Sequence, residues 1–106
     1  MTPYTVSKHA LLGLGACLRR DLDARGIGVS VVCPGYVRTE RVLAHAAASE
    51  AFAQVLDTYG QSGQEVARHA FDGVADGPLV ISTSAASEYF IVDFHRQVIE
   101  AAQLGT

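Results

Sequence analysis

Apolar positions near the start of the chain recur at helical steps. Leu11, Leu14, Leu18 and Leu22 fall three or four residues apart, and Leu12 and Ala16 widen the stripe. The spacing predicts a helix over 3–25. Thr2 is expected to cap it, with Pro3 at the first helical position, where a missing N–H costs nothing. Arg19, Arg20, Asp21, Asp23 and Arg25 make its expected solvated face, and Gly26 ends it. The pattern then changes. Residues 27–33, Ile-Gly-Val-Ser-Val-Val-Cys, are apolar at nearly every position, which predicts a strand covered on both faces, as in a parallel sheet. Pro34-Gly35 closes it.

From Thr39 to Tyr59 the periodicity is helical but looser, carried by Leu43, Ala47, Phe52, Val55, Leu56 and Tyr59 around an alanine-rich middle. Residues 40–60 read as one flap. Gly60 to Gly63 break the pattern, and Ser62-Gly63-Gln64-Glu65 has the form of a capping box opening a helix over 63–76. A short strand is expected over 79–83 and a last helix over 87–103, with Ile91, Phe94, Val98 and Ala101 facing inward. The predicted order is α-β-α-α-β-α, an α/β fold whose strand–helix–strand part is a right-handed crossover unit. Two such strands leave open edges, so the sheet reads as built to lie against further strands.

Composition bounds the function. A chain of 106 residues holds one small domain, and 49% hydrophobic content supports a buried core. The formal net charge of −3 and the absence of a basic stripe speak against nucleic acid. No apolar run reaches the ~18 residues of a membrane span, and no export signal opens the chain; a cytoplasmic protein is the default expectation. Cys17 and Cys33 lack neighbours at metal-ligand spacing and read as small core hydrophobes, so no metal is expected.

One pair stands out chemically. Tyr4 and Lys8 lie one turn apart at a helix start, on one face. A free phenol, with a pKa near ~10, is mostly protonated at neutral pH; a close ammonium and the positive helix end favour the phenolate. Such a phenol can exchange a proton with a carbonyl or alcohol oxygen. Lys8 is the only lysine, all other basic side chains of fixed charge being arginine. The bland alternative is an exposed helix pair. His9, His45, His69 and His95 have no paired ligand spacing, and Ser82-Thr83-Ser84 lacks a glycine-framed nucleophile elbow. Phe90 and Phe94 read as core or interface.

Tyr4-Thr5-Val6-Ser7-Lys8 before a leucine-rich helix, followed by residues 27–39 with their Pro34-Gly35-Tyr36-Val37-Arg38-Thr39 loop, resembles the short-chain dehydrogenase/reductase family in order and spacing. The resemblance covers essentially the whole chain. It implies the C-terminal portion of a partial doubly wound, Rossmann-like parallel sheet, and an oxidoreductase moving hydride between NAD or NADP and a small-molecule carbonyl or alcohol. By position, Tyr4 would be the catalytic acid/base and Lys8 would hold the nicotinamide ribose. Pro34, Gly35 and Val37 would line the nicotinamide, the Val37 backbone meeting its carboxamide. The Thr39 hydroxyl would reach the carboxamide or pyrophosphate. Without that context, Pro34-Gly35 is a strand-ending turn and Thr39 a helix cap. The resemblance also implies a homo-oligomer in the full-length parent, with the Tyr4 helix in a subunit interface.

Several family features are missing from these residues: the Gly-rich dinucleotide loop, the residue that selects NAD or NADP, the catalytic serine and a relay asparagine. All would lie N-terminal to Met1, which would then fall inside a domain. The expectation is an incomplete gene fragment or an internal methionine, inactive in isolation. The alternative is a truncated non-catalytic module that folds or associates through its helices. A helix-turn-helix regulator conflicts with the acidic charge and the two strands.

Overall fold

A computed structural model describes residues 2–103, the side chains of Ala86 and Phe90 excepted. The expectations for Met1 and for the Phe90 side chain lie outside the described residues. Seven elements follow one another: α1 (Thr2–Asp23), β1 (Val31–Cys33), α2 (Glu40–Ala48), α3 (Glu50–Tyr59), α4 (Gly63–Val74), β2 (Val80–Ser82) and α5 (Ala85–Ala102). The chain is thus mostly helical around a two-stranded parallel sheet in which Val31, Val32 and Cys33 pair with Val80, Ile81 and Ser82. This is compatible with part of an α/β fold, with one helix more than the predicted order.

The helix boundaries follow local chemistry. Gly26, at φ 72°, ends α1 in a Schellman turn: the Ile27 N–H reaches the Leu22 carbonyl and the Gly26 N–H the Asp23 carbonyl. Thr2 lies inside α1 rather than capping it. The expected single flap helix is two, because the Ser49 side chain accepts from the Phe52 N–H and starts α3 while its own N–H closes α2. The Ser62–Glu65 capping box forms as expected, with bonds of 3.0 and 3.4 Å. Ser84 caps α5 two residues earlier than predicted.

Each strand is shorter than its apolar run. Residues 27–30 have no partner strand among the described residues, since β2 begins only at Val80. Instead Arg19 ties this segment down, donating to the Val29 carbonyl at 3.0 Å and the Gly77 carbonyl at 2.6 Å. Arg19 is therefore half-buried and structural, not part of a solvated face.

Two close approaches seat helices on the sheet. Gly15, the buried residue of α1, lies against Val31, and Gly73 of α4 lies where an added Cβ would meet Ile81 Cγ2 at 2.9 Å. Leu12, Gly15, Ala16, Arg19 and Leu22 form the buried and half-buried side of helix α1. Leu11, Leu14 and Leu18, read from the sequence as the inward stripe, are exposed, as are Phe94, Val98 and Ala101 of α5. Cys17 is exposed as well, and Cys33 half-buried; both are free thiols. Leu56 and Ile81 are the buried hydrophobic side chains among the described residues. The radius of gyration, 16.1 Å, exceeds the ~13 Å of a compact domain this long. The elements are well formed, but most of their apolar faces look outward.

Candidate functional site

The N-terminus of α1 and the loop leaving β1 lie toward one end of the sheet. Arg19 contacts the strand entrances, and Gly15 meets Val31 at the first residue of β1. From that crossing α1 runs back about 16 Å to Tyr4, at ~1.5 Å per residue. The chain runs forward about 13 Å from Val31 to Gly35, at ~3.3 Å per residue. Both therefore point toward the C-terminal end of the strands, where open α/β sheets bind ligands.

Tyr4 and Lys8 are brought together. The Lys8 Nζ lies 5.3 Å from the centroid of the Tyr4 ring, within cation–π reach and worth about 0.5–1 kcal/mol at an exposed site. The ammonium thus sits over the ring face, where the sequence had suggested the phenol oxygen. Tyr4 is 59% exposed. Among the described residues, neither the Tyr4 hydroxyl nor the Lys8 ammonium hydrogen-bonds to another group, so both can meet a bound molecule. Ser7 donates to the Tyr4 carbonyl at 2.7 Å. His9 turns away: its Nδ1 lies 2.9 Å from the Thr5 carbonyl oxygen, and its ring packs edge-on to Phe94 with centroids 4.9 Å apart. That contact joins α1 to α5.

Pro34 and Gly35 turn the chain out of β1 beside the first turn of α5. A Cβ on Gly35 would stand 2.6 Å from Ser84 Oγ, so a side chain there would displace the Ser84 hydroxyl. Ser84 in turn belongs to a hydroxyl network with Ser82 and Ser87, the Ser82 and Ser87 oxygens 2.6 Å apart. Thr39 is a helix cap, its Oγ1 accepting from the Val42 N–H at 3.2 Å. The Val37 carbonyl accepts from the Thr39 N–H at 2.9 Å, while the Val37 N–H makes no hydrogen bond among the described residues.

The polar residues that hold this loop carry no signal in the sequence pattern. Gln61 pairs with Val37 in a parallel bridge, and its side chain reaches Thr83. A glutamine flanked by Gly60 and Gly63 reads as loop; only its burial, 9% exposed, marks it. Tyr36 of the loop joins the flap residues His45, Phe52 and Tyr59 in an aromatic group, with Tyr36 and Phe52 centroids 6.2 Å apart and His45 and Phe52 4.7 Å apart.

A hollow of about 390 Å³ runs along α5, lined by Ala85, Glu88, Tyr89, Val92, Asp93 and Arg96. It is an open groove on one helix and includes neither Tyr4 nor the Pro34-Gly35 loop. Among the described residues no three His, Cys, Asp or Glu side chains converge on a metal position, and no helix is long and apolar enough to cross a membrane.

Residues 1–50 match the family model described as short chain dehydrogenase, a span that contains Tyr4, Lys8, Pro34, Gly35, Val37 and Thr39. The chain is 35% identical over 74 residues to dehydrogenase/reductase SDR family member 7B of Mus musculus, covering 67% of this chain and 23% of that protein. Its counterpart in Danio rerio is 53% identical over 36 residues, covering 34% of this chain and 12% of that protein. Short-chain dehydrogenase anuF of Penicillium roqueforti is 43% identical over 44 residues, covering 42% and 16%. The chain thus spans less than a quarter of the length of these relatives. No solved structure matches it.

Proposed function

The chain belongs to the short-chain dehydrogenase/reductase family, and from that premise we propose that it carries the proton-transfer half of an NAD(P)-dependent oxidoreductase site. The substrate pair is a carbonyl compound and its alcohol. The observation that carries the reading is the Tyr4–Lys8 pair, adjacent and, among the described residues, without hydrogen-bond partners.

The residues fit one part of the cofactor and not another. An ammonium and a phenol side by side suit ribose hydroxyls, and the free Val37 N–H suits a carboxamide oxygen. Nothing in the sequence resembles a glycine-rich turn for the pyrophosphate. When bound, the nicotinamide supplies the hydride. Tyr4 then donates its phenolic proton to the substrate oxygen in reduction and accepts it in oxidation. Lys8, over the face of the Tyr4 ring, brings a positive charge to the neighbourhood of the phenol and holds the ribose hydroxyls. Pro34 and Gly35 bound the nicotinamide face, the Val37 N–H orients the carboxamide, and the Thr39 hydroxyl, already a cap acceptor, donates its hydrogen to the carboxamide or pyrophosphate. In this reading the fold is the C-terminal portion of a doubly wound, Rossmann-like sheet, and the 106-residue chain does not turn over by itself.

Saturation-transfer NMR on the chain with NADPH tests this. The nicotinamide and its ribose should receive more saturation than the adenine. Preferential contact with adenine would sink the reading, and turnover of ketones by the isolated chain would overturn its inactivity.

A second reading, a non-catalytic module that associates through its helices, draws on the exposure of Leu11, Leu14 and Leu18 on α1 and of Val92, Val98 and Ile99 on α5. Sedimentation showing a stable oligomer, with no cofactor contact by NMR, would favour it.

A further inference from the structure

We propose that Gln61 is a positioning residue whose side chain latches the base of the α2–α3 hairpin to the end of β2 and so fixes the Val37 peptide. The polar groups of Gln61 are spent in two directions. Its main chain faces the loop after β1: the Gln61 N–H donates to the Tyr36 carbonyl, and the Gln61 carbonyl accepts from the Arg38 N–H, both at 2.8 Å. Its side chain faces β2. Nε2 donates to the Thr83 carbonyl at 2.6 Å, and Oε1 accepts from the Thr83 hydroxyl at 2.9 Å. The Thr83 N–H donates to the Cys33 carbonyl at 3.4 Å, which ties the same point to the end of β1. Gln61 and Thr83 together thus join three segments: the loop after β1, the end of β2 and the end of β1.

Burial gives these bonds their weight. Gln61 is 9% exposed and Thr83 3%, so a missing partner would leave a polar group without water to replace it. The hairpin depends on this joint because α2 and α3 pack chiefly on one another. The chain enters the hairpin at Thr39 and leaves it at Gly60, positions held together by the Val37–Gln61 bridge. The Arg38 guanidinium reinforces that closure, donating to the Leu56 carbonyl at 2.9 Å. The bonds to Tyr36 and Arg38 also leave the Val37 N–H pointing away from Gln61. The latch therefore governs both the seat of the flap and the direction of that N–H. Its bearing on cofactor binding rests on the proposed function; the latch itself does not.

The test is amide hydrogen exchange by NMR on the full chain, comparing wild type with Gln61→Met, Thr83→Val and Thr83→Ser. Gln61→Met and Thr83→Val should speed exchange at the Arg38 and Gln61 amides by roughly tenfold. The amides of Val31, Leu43 and Ala53 should stay within about twofold of wild type, because local opening leaves them protected. Thr83→Ser, which keeps the hydroxyl, should match wild type. If Gln61→Met fails to fold, Thr83→Val, which removes one bond of the pair, carries the comparison. Uniform acceleration at all five amides, or none at Arg38 and Gln61, would overturn the latch whatever the chain binds. Absence of nicotinamide binding with the expected exchange pattern would count against the proposed function alone.

Discussion

Gly15 of α1 and Val31 of β1 touch where helix crosses strand, so closely that a single added methyl group would strike Val31 Cγ2. Gly13, two residues earlier in the same helix, has nothing within 4 Å of an added Cβ. The two glycines therefore separate helix propensity from packing. Gly13→Ala should stabilise the chain by about 0.5–1 kcal/mol, the ordinary gain of alanine over glycine in a helix. At Gly15 that gain meets an overpacking cost of about 1–3 kcal/mol. Gly15→Ala should therefore destabilise by about 1 kcal/mol net, and urea denaturation of both variants measures the contrast. Equal stabilisation by the two would mean that α1 does not rest on β1 at this point.

The thiols should respond differently to pH. Burial pushes the Cys33 thiol above its ordinary range, while Cys17 is exposed. A disulfide reagent at neutral pH should modify Cys17 first, and the reactivity of Cys33 should rise only at pH above the usual ~8.5 of a thiol. Because the folded chain holds the Cys33 proton more tightly than the unfolded one, the associated stability is present below the unfolded thiol's pKa. It is lost as pH climbs through the raised value. Cys33→Ala should flatten that alkaline decline in a pH series of thermal melts.

On α5, hydrogen bonds from Arg96, at 2.7 Å, and from Gln97, at 2.8 Å, hold the Asp93 carboxyl below the usual carboxylate range. The associated stability is present above the unfolded carboxyl's ~3.9 and is lost as pH falls through the lowered value. The pair is exposed, so salt should weaken it. Carboxyl-carbon NMR should show Asp93 titrating below a free aspartate, and Arg96→Met should return it toward the ordinary range.

The helix ends were legible in the sequence because caps are local chemistry. Ser62 with Glu65, Thr39 as a cap and Gly26 as a stop each need only their own few neighbours. The Tyr4–Lys8 pair was legible for the same reason, being a matter of helical pitch. What depends on partners was not. The leucine stripe of α1 predicted an inward face, yet the helix meets the sheet at Gly15, and Leu11, Leu14 and Leu18 face outward. Residues 27–33 predicted a longer strand than the residues available in β2 can pair. Cys17 looked like core because it lies on a helix read as buried, yet it is exposed. Gln61 was invisible, since its role exists only once Thr83, far along the chain, is folded against it.

The central claim is that Tyr4, Lys8 and the loop from Pro34 to Thr39 receive the nicotinamide riboside. The most direct measurement is a residue-resolved NMR titration of the chain with reduced nicotinamide mononucleotide, which carries that half of the cofactor alone. The account predicts saturable shifts centred on the Val37 amide and on residues 4–8, weakened at least about tenfold by Lys8→Met and largely retained in Tyr4→Phe. Shifts confined to the groove on α5, or binding indifferent to Lys8→Met, would contradict it.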